Sequence, residues 1–212
     1  MIVLYSYWLS SCSWRIRFAL CLKGIPYEYK AVDLVKGEQF SPEFEKLNPL
    51  HCVPVLADDH VVVSDSYAIF LYLEEKYTRK PLLPVDPQIR ALNLQIASMI
   101  NSSIQPYHMI SALKDMEKMF GAETKQWAQY KIDKAFEKLL KDVAGKYATG
   151  EHICMADVFL APQIMQAVKR FDIDMSKYPT LRRLSETYKG LAEFHASSPQ
   201  SQPDACITNN NL

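Results

Sequence analysis

The chain has 212 residues, of which 49% are hydrophobic and 23% charged, an ordinary globular balance that excludes disorder for most of its length. It is long enough for one large domain or two compact ones. The 24 lysines and arginines are matched by 24 aspartates and glutamates, so no overall basic field attracts nucleic acid or anionic lipid. We therefore expect neither nucleic acid nor a membrane as a partner.

The first third of the chain alternates strands and helices. A short apolar strand over Ile2–Tyr7 precedes a helix over Trp14–Leu22, which ends at Gly24. Residues 27–32 then alternate apolar and polar side chains like a second strand. This part of the sequence predicts a βαβ unit.

A hairpin and a helix follow. The apolar runs Val53–Leu56 and Val61–Val63 are separated by a turn-rich connection. Residues 64–66 are typical helix caps and precede a helix predicted over Tyr67–Lys76. The resulting βαβ–ββα order predicts a mixed four-stranded sheet.

The remainder of the chain changes in character after a proline-rich linker. Three prolines between Pro81 and Pro87 interrupt the pattern, and apolar residues then recur every three or four positions, as in helices. Periodicity is lost from Ser197 onward. We predict an α/β domain over 1–82, an all-helical domain over 88–196 and a mobile tail over 197–212.

Cysteine usage and the lack of long apolar runs indicate the compartment. No run approaches the roughly 18 apolar residues of a membrane span, and no secretion signal is recognisable at the N-terminus. We expect a cytoplasmic protein that binds no metal, because its cysteines are odd in number and lack metal-site spacing. They are Cys12, Cys21, Cys52, Cys154 and Cys206.

Three hydroxyls and a thiol, in Ser10, Ser11, Cys12 and Ser13, crowd the start of the first helix. The start of a helix offers unpaired N–H groups and the positive end of the helix dipole, which together stabilise a thiolate. The pattern predicts a site for a sulfur anion. That sulfur belongs either to Cys12 or to a bound thiol.

Two further motifs suit a peptide with charged ends. A cis bond between Val53 and Pro54 would expose the Val53 N–H and C=O groups to an extended peptide, although an edge-strand proline needs no ligand. Ser66, at a helix start, suits a carboxylate, and Asp65 suits an ammonium. An ordinary capping role is the alternative for both residues.

These motifs resemble those of the zeta class of glutathione transferases. The class motif Ser-Ser-Cys-x-Trp-Arg-x-Arg is matched at residues 10–17, and further matches include Asn48-Pro49, Ile104-Gln105-Pro106 and Ala156-Asp157. The resemblance covers nearly the whole chain. It implies a thioredoxin-like N-terminal domain, a C-terminal helical-bundle domain, glutathione as cosubstrate and a homodimer.

The resemblance also implies which residues contact glutathione. Ser10 is expected to donate to the glutathione thiolate, while Cys12 acts as nucleophile, as modulator or not at all. Trp14 matches a family contact, yet its helical spacing with other aromatic residues favours the core. The full set of implied contacts is Ser10, Ser11, Cys12, Ser13, Trp14, Arg15, Gln39, Val53, Asp65, Ser66, Gln105, Met109, Ile110 and Ser111.

Arg15 and Arg170 are the residues that the resemblance assigns to the substrate's carboxylates, which the planar guanidinium fork matches. For Arg170 alone, an ion pair with Asp172 or Asp174 is the alternative. His108 is expected at the rim of the pocket.

The implied reaction is glutathione-dependent isomerisation of maleylacetoacetate to fumarylacetoacetate, in tyrosine and phenylalanine catabolism. Its rivals are glutathione-dependent dehalogenation of small α-halo acids and a non-enzymatic interaction subunit of the same fold.

One position departs from the family pattern. Relatives usually have Ser or Thr three residues before Asp157, whereas this chain has Cys154. Because a thiol is a weak acceptor, we expect an impaired cap at the start of that helix.

Overall fold

The computed structural model describes residues 1–121, 123–140 and 145–208, the last three of them by their backbone only. The chain divides into two compact units. The first comprises Met1–Pro81 together with the C-terminal segment that starts at Leu191, and the second comprises Leu82–Gly190. We predicted an all-helical domain over 88–196, but residues 191–196 lie in the first unit. There Phe194 stacks on Trp14 with ring centroids 4.7 Å apart.

The first unit is built on a mixed four-stranded sheet of order β2-β1-β3-β4. β1 pairs in parallel with β2 and antiparallel with β3, and β3 pairs antiparallel with β4. The predicted βαβ–ββα order is confirmed. Its elements are β1 (Ile2–Ser6), α1 (Ser11–Lys23), β2 (Glu28–Ala31), α2 (Pro42–Glu45), β3 (Val55–Asp58), β4 (Val61–Ser64) and α3 (Ser66–Lys76).

Helix α1 begins three residues before the predicted start, because Ser10 caps it. Gly24 ends it in the left-handed conformation, with φ 66°. α1 is joined to α3 by a buried ion pair in which Lys23 Nζ lies 2.6 Å from a carboxylate oxygen of Glu74. The short helix α2 was not predicted from the sequence.

The second unit is all-helical, as predicted. A π-helical turn over Ile100–Ile104 and a 3₁₀ turn over Gln105–His108 follow its first helix. The buried Asn93 on that helix accepts the N–H of Ala156, at the start of the central helix, at 3.0 Å. The helices are α4 (Pro87–Met99), α5 (Ile110–Phe120), α6 (Thr124–Phe136), α7 (Met155–Phe171) and α8 (Pro179–Lys189).

The cap of α7 is formed despite the thiol. Cys154 and Asp157 make a capping box in which the sulfur accepts the Asp157 N–H and the Asp157 carboxylate accepts the Cys154 N–H at 2.9 Å. The same carboxylate accepts the Ala148 N–H at 2.8 Å and the Tyr188 hydroxyl at 2.6 Å. The expected impairment is therefore limited to the weaker acceptor strength of sulfur.

The C-terminal segment has more structure than the sequence predicted. It forms α9 (Ala192–Ala196) and two 3₁₀ helices, Pro199–Ser201 and Pro203–Thr208. Ser197 is wholly buried, and Asp204 is 7% exposed. Short turns held by distant partners leave no periodicity in the sequence, which is why a tail was predicted here. Residues 209–212 of that predicted tail lie outside the described residues.

Candidate functional site

One edge of the sheet gathers several of the predicted contacts. β1 and β4 both run antiparallel to β3, so both end where β3 begins, and Tyr5 and Ser64 both pair with Val55 at this edge. The loop after β1 leads into α1, and β4 leads directly into α3. The edge therefore carries predicted contacts from three parts of the chain: Ser10, Val53 and Ser66.

Ser10 is the N-cap of α1. Its backbone is extended, with φ −70° and ψ 117°, and its Oγ accepts the N–H of Ser13 at 3.1 Å. Because capping uses only a lone pair, the hydroxyl hydrogen remains able to donate, and no described residue accepts it. The first turn adds N–H groups without helical acceptors and the positive end of the dipole. This arrangement suits an anion.

Cys12 is the second residue of α1, and its thiol is half-buried and free. Ser11 and Ser13 are buried, and because the Ser13 N–H already donates to Ser10 Oγ, the Ser11 main-chain N–H is what this pair offers to a ligand. A half-buried thiol in the first turn can touch a bound sulfur. The position of Cys12 is compatible with the role of modulator and with that of nucleophile.

The start of α3 is a second helix N-terminus at this edge of the sheet. Asp65 caps it, since Oδ1 accepts the N–H groups of Tyr67 and Ala68 at 2.8 and 3.1 Å. The φ of Asp65 is 78°, a value that costs a non-glycine residue about 1–3 kcal/mol and is concentrated at functional sites. Ser66, the first residue of the helix, is buried, and its Oγ accepts a hydrogen bond from Arg15 Nη1 at 3.1 Å.

Arg15 is closed off from solvent, at 0% exposure. Burial lowers the pKa of its guanidinium, and the neighbouring Cys12 and Asp65 act in the opposite direction. The resemblance implied direct contact between Arg15 and a substrate carboxylate. In the structure, the side chain is buried and donates a hydrogen bond to Ser66 Oγ.

Val53 immediately precedes Pro54, and the peptide bond between them is cis, as predicted. The main-chain groups of Val53 have no hydrogen bond to any described residue. Gln39 is tied to the same loop, because its carbonyl accepts a hydrogen bond from His51 Nδ1 at 2.9 Å. The side-chain oxygen of Gln39 is buried and has no partner among the described residues. Both residues therefore keep hydrogen-bonding groups for a ligand.

Trp14 belongs to the core, which is the alternative that its spacing favoured. Its ring is 3% exposed and stacks on Phe194, and its indole N–H donates to Ser197 Oγ at 3.1 Å. The side chain therefore has its contacts inside the first unit, and the main-chain N–H of Trp14 donates to the Ser10 carbonyl at 2.9 Å.

The second unit holds the remaining predicted contacts near the change from π to 3₁₀ geometry. π-helical turns often mark functional sites. The first turn of α5 has N–H groups without a side-chain cap. Gln105 and Met109, which precede α5, are half-buried. Ile110 and Ser111, in the first turn of α5, are exposed.

Arg170 lies in the last turn of α7. Its Nη1 donates to the His108 carbonyl at 2.9 Å, and its guanidinium lies 4.9 Å from the centroid of the Phe171 ring. Burial lowers the pKa of Arg170. Among the described residues no carboxylate forms an ion pair with it, since Asp172 pairs with Lys125 at 2.7 Å. The ion-pair alternative is thus not realised, and part of the guanidinium fork is left for a ligand.

His108 is not the rim residue that we predicted. Its side chain is 4% exposed, and its Nε2 lies 2.7 Å from Nε2 of the buried Gln163. The ring also packs edge-on against Phe171 with centroids 5.7 Å apart. His108 therefore belongs to the core of the second unit, where its carbonyl holds Arg170.

Two buried charged residues of the first unit escaped the sequence analysis as functional candidates. Arg17 appeared only as part of the family motif, and Asp204 lay in the predicted tail. Both bind the main chain of Trp8, two residues before Ser10. An arginine within an apolar helix, with no acidic residue nearby in the sequence, is the signal that could have drawn attention to Arg17.

In the described ranges, no cluster of three or more His, Cys, Asp or Glu side chains could hold a metal ion. No helix within these ranges is long and apolar enough to cross a membrane.

Comparison with known sequences defines the class of protein. Residues 9–76 match the glutathione S-transferase N-terminal domain. The chain is 50% identical over 206 residues to a zeta-class glutathione S-transferase of Euphorbia esula, covering 95% of this chain and 92% of that protein. It is 47% identical over 208 residues to a maleylacetoacetate isomerase of Rattus norvegicus, covering 95% and 94%. The chain therefore belongs to the zeta class of the glutathione transferase family.

A solved structure supports the same assignment. The chain matches a maleylacetoacetate isomerase from Anaeromyxobacter dehalogenans 2CP-1 with a TM-score of 0.88 and 37% identity, covering 100% of this chain and 97% of the other. That protein has dicarboxyethyl glutathione and citrate bound in its active site.

Proposed function

We propose that this protein binds glutathione and catalyses the glutathione-dependent cis–trans isomerisation of maleylacetoacetate to fumarylacetoacetate. The observation that carries the proposal is the geometry of Ser10, which caps α1 through its oxygen and keeps its hydrogen for a sulfur anion. The identity to maleylacetoacetate isomerases and the carboxylate-bearing ligands of a relative support the choice of substrate.

The groups at the sheet edge suit the three parts of glutathione. The γ-glutamyl carboxylate would bind at the start of α3 with Ser66, and its ammonium would approach Asp65. The cysteinyl main chain would pair with the unbonded N–H and C=O groups of Val53. Gln39, with its buried side-chain oxygen, would accept an N–H group near the glycyl end. Arg15 would hold the Ser66 hydroxyl in place.

The chemistry requires a thiolate close to the double bond. Donation from Ser10, together with the N-terminus of α1, favours ionised glutathione. The thiolate adds to one alkene carbon, and the π electron pair moves into the conjugated carbonyl as an enolate. Rotation about the resulting single bond follows, and return of the electron pair expels the thiolate. Glutathione is regenerated, with no net change in oxidation state or protonation.

Arg170 is the residue that we propose for a substrate carboxylate. A dicarboxylate needs a cation with free hydrogen-bond donors, and among the described residues Arg170 is joined to a carbonyl and a ring but not to an acid. Its fork can bind a carboxylate through two parallel hydrogen bonds. Arg15 adds positive potential at the sheet edge without leaving the protein interior.

The direct test is an assay of the purified protein with maleylacetone and glutathione. We expect isomerisation with glutathione, none without it and a much lower rate for Ser10→Ala. Dichloroacetate with glutathione serves as the rival substrate, and chloride release faster than isomerisation would favour the dehalogenase. Absence of both reactions, with glutathione bound, would favour an interaction subunit and overturn the proposal.

We further propose that the protein is a cytoplasmic homodimer. Exposed apolar side chains support an oligomer, because each unit carries several of them on regular elements. They are Val61 and Val62 on β4 and Ile89, Leu92 and Met99 on α4. The four cysteines with described side chains are free thiols, as in a reducing compartment. Analytical ultracentrifugation and cell fractionation test the two claims, which a monomer or a membrane-pelleted protein would contradict.

A further inference from the structure

The loop that delivers Ser10 to the helix start is held at both main-chain groups of one residue, Trp8. The Trp8 N–H donates to Asp204 Oδ2 at 3.1 Å, and the Trp8 carbonyl accepts from Arg17 Nη2 at 3.0 Å. One residue earlier, the Tyr7 carbonyl accepts both the Ser10 N–H at 3.0 Å and Arg17 Nη1 at 3.3 Å. The turn over residues 7–10 is therefore fixed by two side chains from outside it.

Asp204 is itself well fixed. It is 7% exposed, and its second oxygen, Oδ1, accepts the hydroxyl of Tyr29 at 2.8 Å. Within the described part of the chain, no Lys, Arg or His makes an ion pair with Asp204; the buried Arg17 is near enough to interact electrostatically. Both carboxylate oxygens are thus committed, one to the active-site loop and one to β2.

The segment before Asp204 is anchored to the first unit by its own contacts. The Ser197 carbonyl accepts from Arg17 Nε at 3.0 Å, and the Ser197 hydroxyl accepts the Trp14 indole N–H at 3.1 Å. Gln202, also buried, donates to the carbonyls of Ala196 and Ser198 at 3.2 and 2.8 Å. These bonds hold the 3₁₀ turns compact, so the carboxylate is presented to Trp8 from a rigid support.

We propose that Asp204 is a positioning residue for Ser10. By accepting the Trp8 N–H it fixes the turn that sets the Ser10 hydroxyl at the cap of α1, and thereby sets how well that hydroxyl donates to a bound thiolate. The inference rests on the proposed role of Ser10 in glutathione ionisation. It assigns to the C-terminal segment, far from the class motif in sequence, a part in the chemistry of the N-terminal motif.

Asp204 supplies the acceptor of the Trp8 N–H. The Trp8 N–H is partly buried, and without Asp204 it would lose its side-chain partner, which a donor shielded from water tolerates poorly. The turn would then shift to find water or another acceptor. Thiolate stabilisation depends on donor distance and direction, so a small displacement of Ser10 weakens it.

Asp204→Ala and Asp204→Asn separate this role from general stability. Asparagine can still accept the Trp8 N–H through its carbonyl and donate to the Tyr29 oxygen through its amide, whereas alanine can do neither. We expect Asp204→Ala to raise the pKa of enzyme-bound glutathione, read from thiolate absorbance, and to lower kcat at least about tenfold. Asp204→Asn should retain the pKa and most of kcat. Glutathione affinity should stay within about threefold for both variants.

Asp58→Ala is the matched control, because Asp58 is another buried carboxylate of the first unit that accepts tyrosine hydroxyls, but at the far end of β3. It should lower the melting temperature without moving the pKa of bound glutathione.

If Asp204→Ala behaves like Asp58→Ala, the role is merely structural and the inference fails. If Ser10→Ala leaves the pKa of bound glutathione unchanged, the proposed function fails first. If Ser10→Ala raises that pKa and a folded Asp204→Ala does not, only the positioning role is overturned. Should Asp204→Ala not fold, Asp204→Leu and Asp204→Asn are compared instead, and equal pKa values in the two would overturn the positioning role.

Discussion

At the scale of single residues, the roles of Ser10 and Cys12 differ in what each can give to a thiolate. Ser10 has an uncommitted hydroxyl hydrogen at the helix cap, whereas Cys12 offers a half-buried thiol one residue into the first turn. Loss of a hydrogen bond to an ionised group typically costs about 1.5–3 kcal/mol. The hydroxyl is therefore expected to carry more of the catalytic effect than the thiol.

We predict that Ser10→Ala lowers isomerase kcat at least about tenfold and raises the pKa of bound glutathione. Cys12→Ala should have a smaller effect on both quantities. Steady-state kinetics and a thiolate titration of the two variants check this. Complete loss of activity in Cys12→Ala, with Ser10→Ala unaffected, would reverse the two assignments.

Arg170 provides a second residue-scale prediction. Because it is proposed to bind the substrate and not glutathione, Arg170→Ala should raise KM for maleylacetone strongly and leave glutathione affinity within about threefold, or roughly 0.7 kcal/mol. Arg170→Lys keeps the charge but loses the fork and should lie between. Kinetics at saturating glutathione, with calorimetry for glutathione binding, measure both effects. An equal loss for both ligands would instead mean that the bond to the His108 carbonyl is the main role of Arg170.

At the scale of elements, the start of α7 shows how a helix cap works with sulfur. The capping box of Cys154 and Asp157 is complete, but one of its two acceptors is a thiol. We predict that Cys154→Thr stabilises the protein by about 0.5–1 kcal/mol, because oxygen accepts the Asp157 N–H better. Urea unfolding compares the variant with the wild type and with Cys154→Ser. If Ser stabilises and Thr does not, the added methyl group is crowded at this buried position.

The junction of β3 with α3 provides a pH-dependent contribution to stability. Burial alone raises the pKa of Asp58, but hydrogen bonds from Lys76, Tyr77 and Tyr72 outweigh it and hold the pKa below its ordinary value of 3.8. A carboxyl whose pKa is lower in the folded state stabilises the fold above its unfolded pKa and loses that contribution as the pH falls. The Asp58 carboxylate is 3% exposed, whereas the side chain of its donor Lys76 is 40% exposed and reaches solvent.

We predict that Asp58→Asn lowers the free energy of unfolding by about 1–3 kcal/mol at neutral pH. The difference from the wild type should shrink as the pH falls below about 4, because the wild-type carboxyl then becomes protonated. Urea unfolding at a series of pH values measures it. A difference that stays constant down to acid pH would show that shape, and not charge, matters at this position.

At the scale of the whole molecule, the elements that the sequence predicted share one property, a local pattern. Alternation revealed the strands, and the spacing of apolar residues revealed the helices, since a strand or helix buries one face repeatedly. The hydroxyls near the start of the first helix and the cis bond at Val53 were likewise marked by residue types with known local preferences, although the helix itself begins three residues before the predicted Trp14. These parts of the candidate site could be predicted without knowing the fold.

The C-terminal segment could not be predicted, because what holds it is not local. Asp204 binds Trp8, 196 positions earlier in the chain, and Ser197 binds Trp14. Such turns contain polar residues whose partners are main-chain groups elsewhere, so their sequence resembles that of a tail. The buried position of His108 escaped prediction for a similar reason, since its partner Gln163 lies on another helix.

Arg17 joins the two ends of the first unit, and this makes it the most demanding position to change. It is wholly buried, with burial lowering its pKa to about 10, so it remains charged at neutral pH. It donates to main-chain carbonyls of Tyr7, Trp8 and Ser197. They use all three nitrogens of the guanidinium, Nε, Nη1 and Nη2, a set of donors that an ammonium group cannot copy.

We therefore predict that Arg17→Lys lowers the free energy of unfolding by about 3 kcal/mol or more, because several charge-assisted hydrogen bonds are lost while a charge stays buried. The loss should be larger than that of Lys23→Arg, a control that changes a buried cation with a carboxylate partner in the same unit. Urea unfolding followed by tryptophan fluorescence reports the change, since Trp14 stacks on Phe194 only while the segment is docked. Equal stability of Arg17→Lys and the wild type would mean that the C-terminal segment is held by its apolar contacts, and that the buried guanidinium is dispensable for joining it to the sheet.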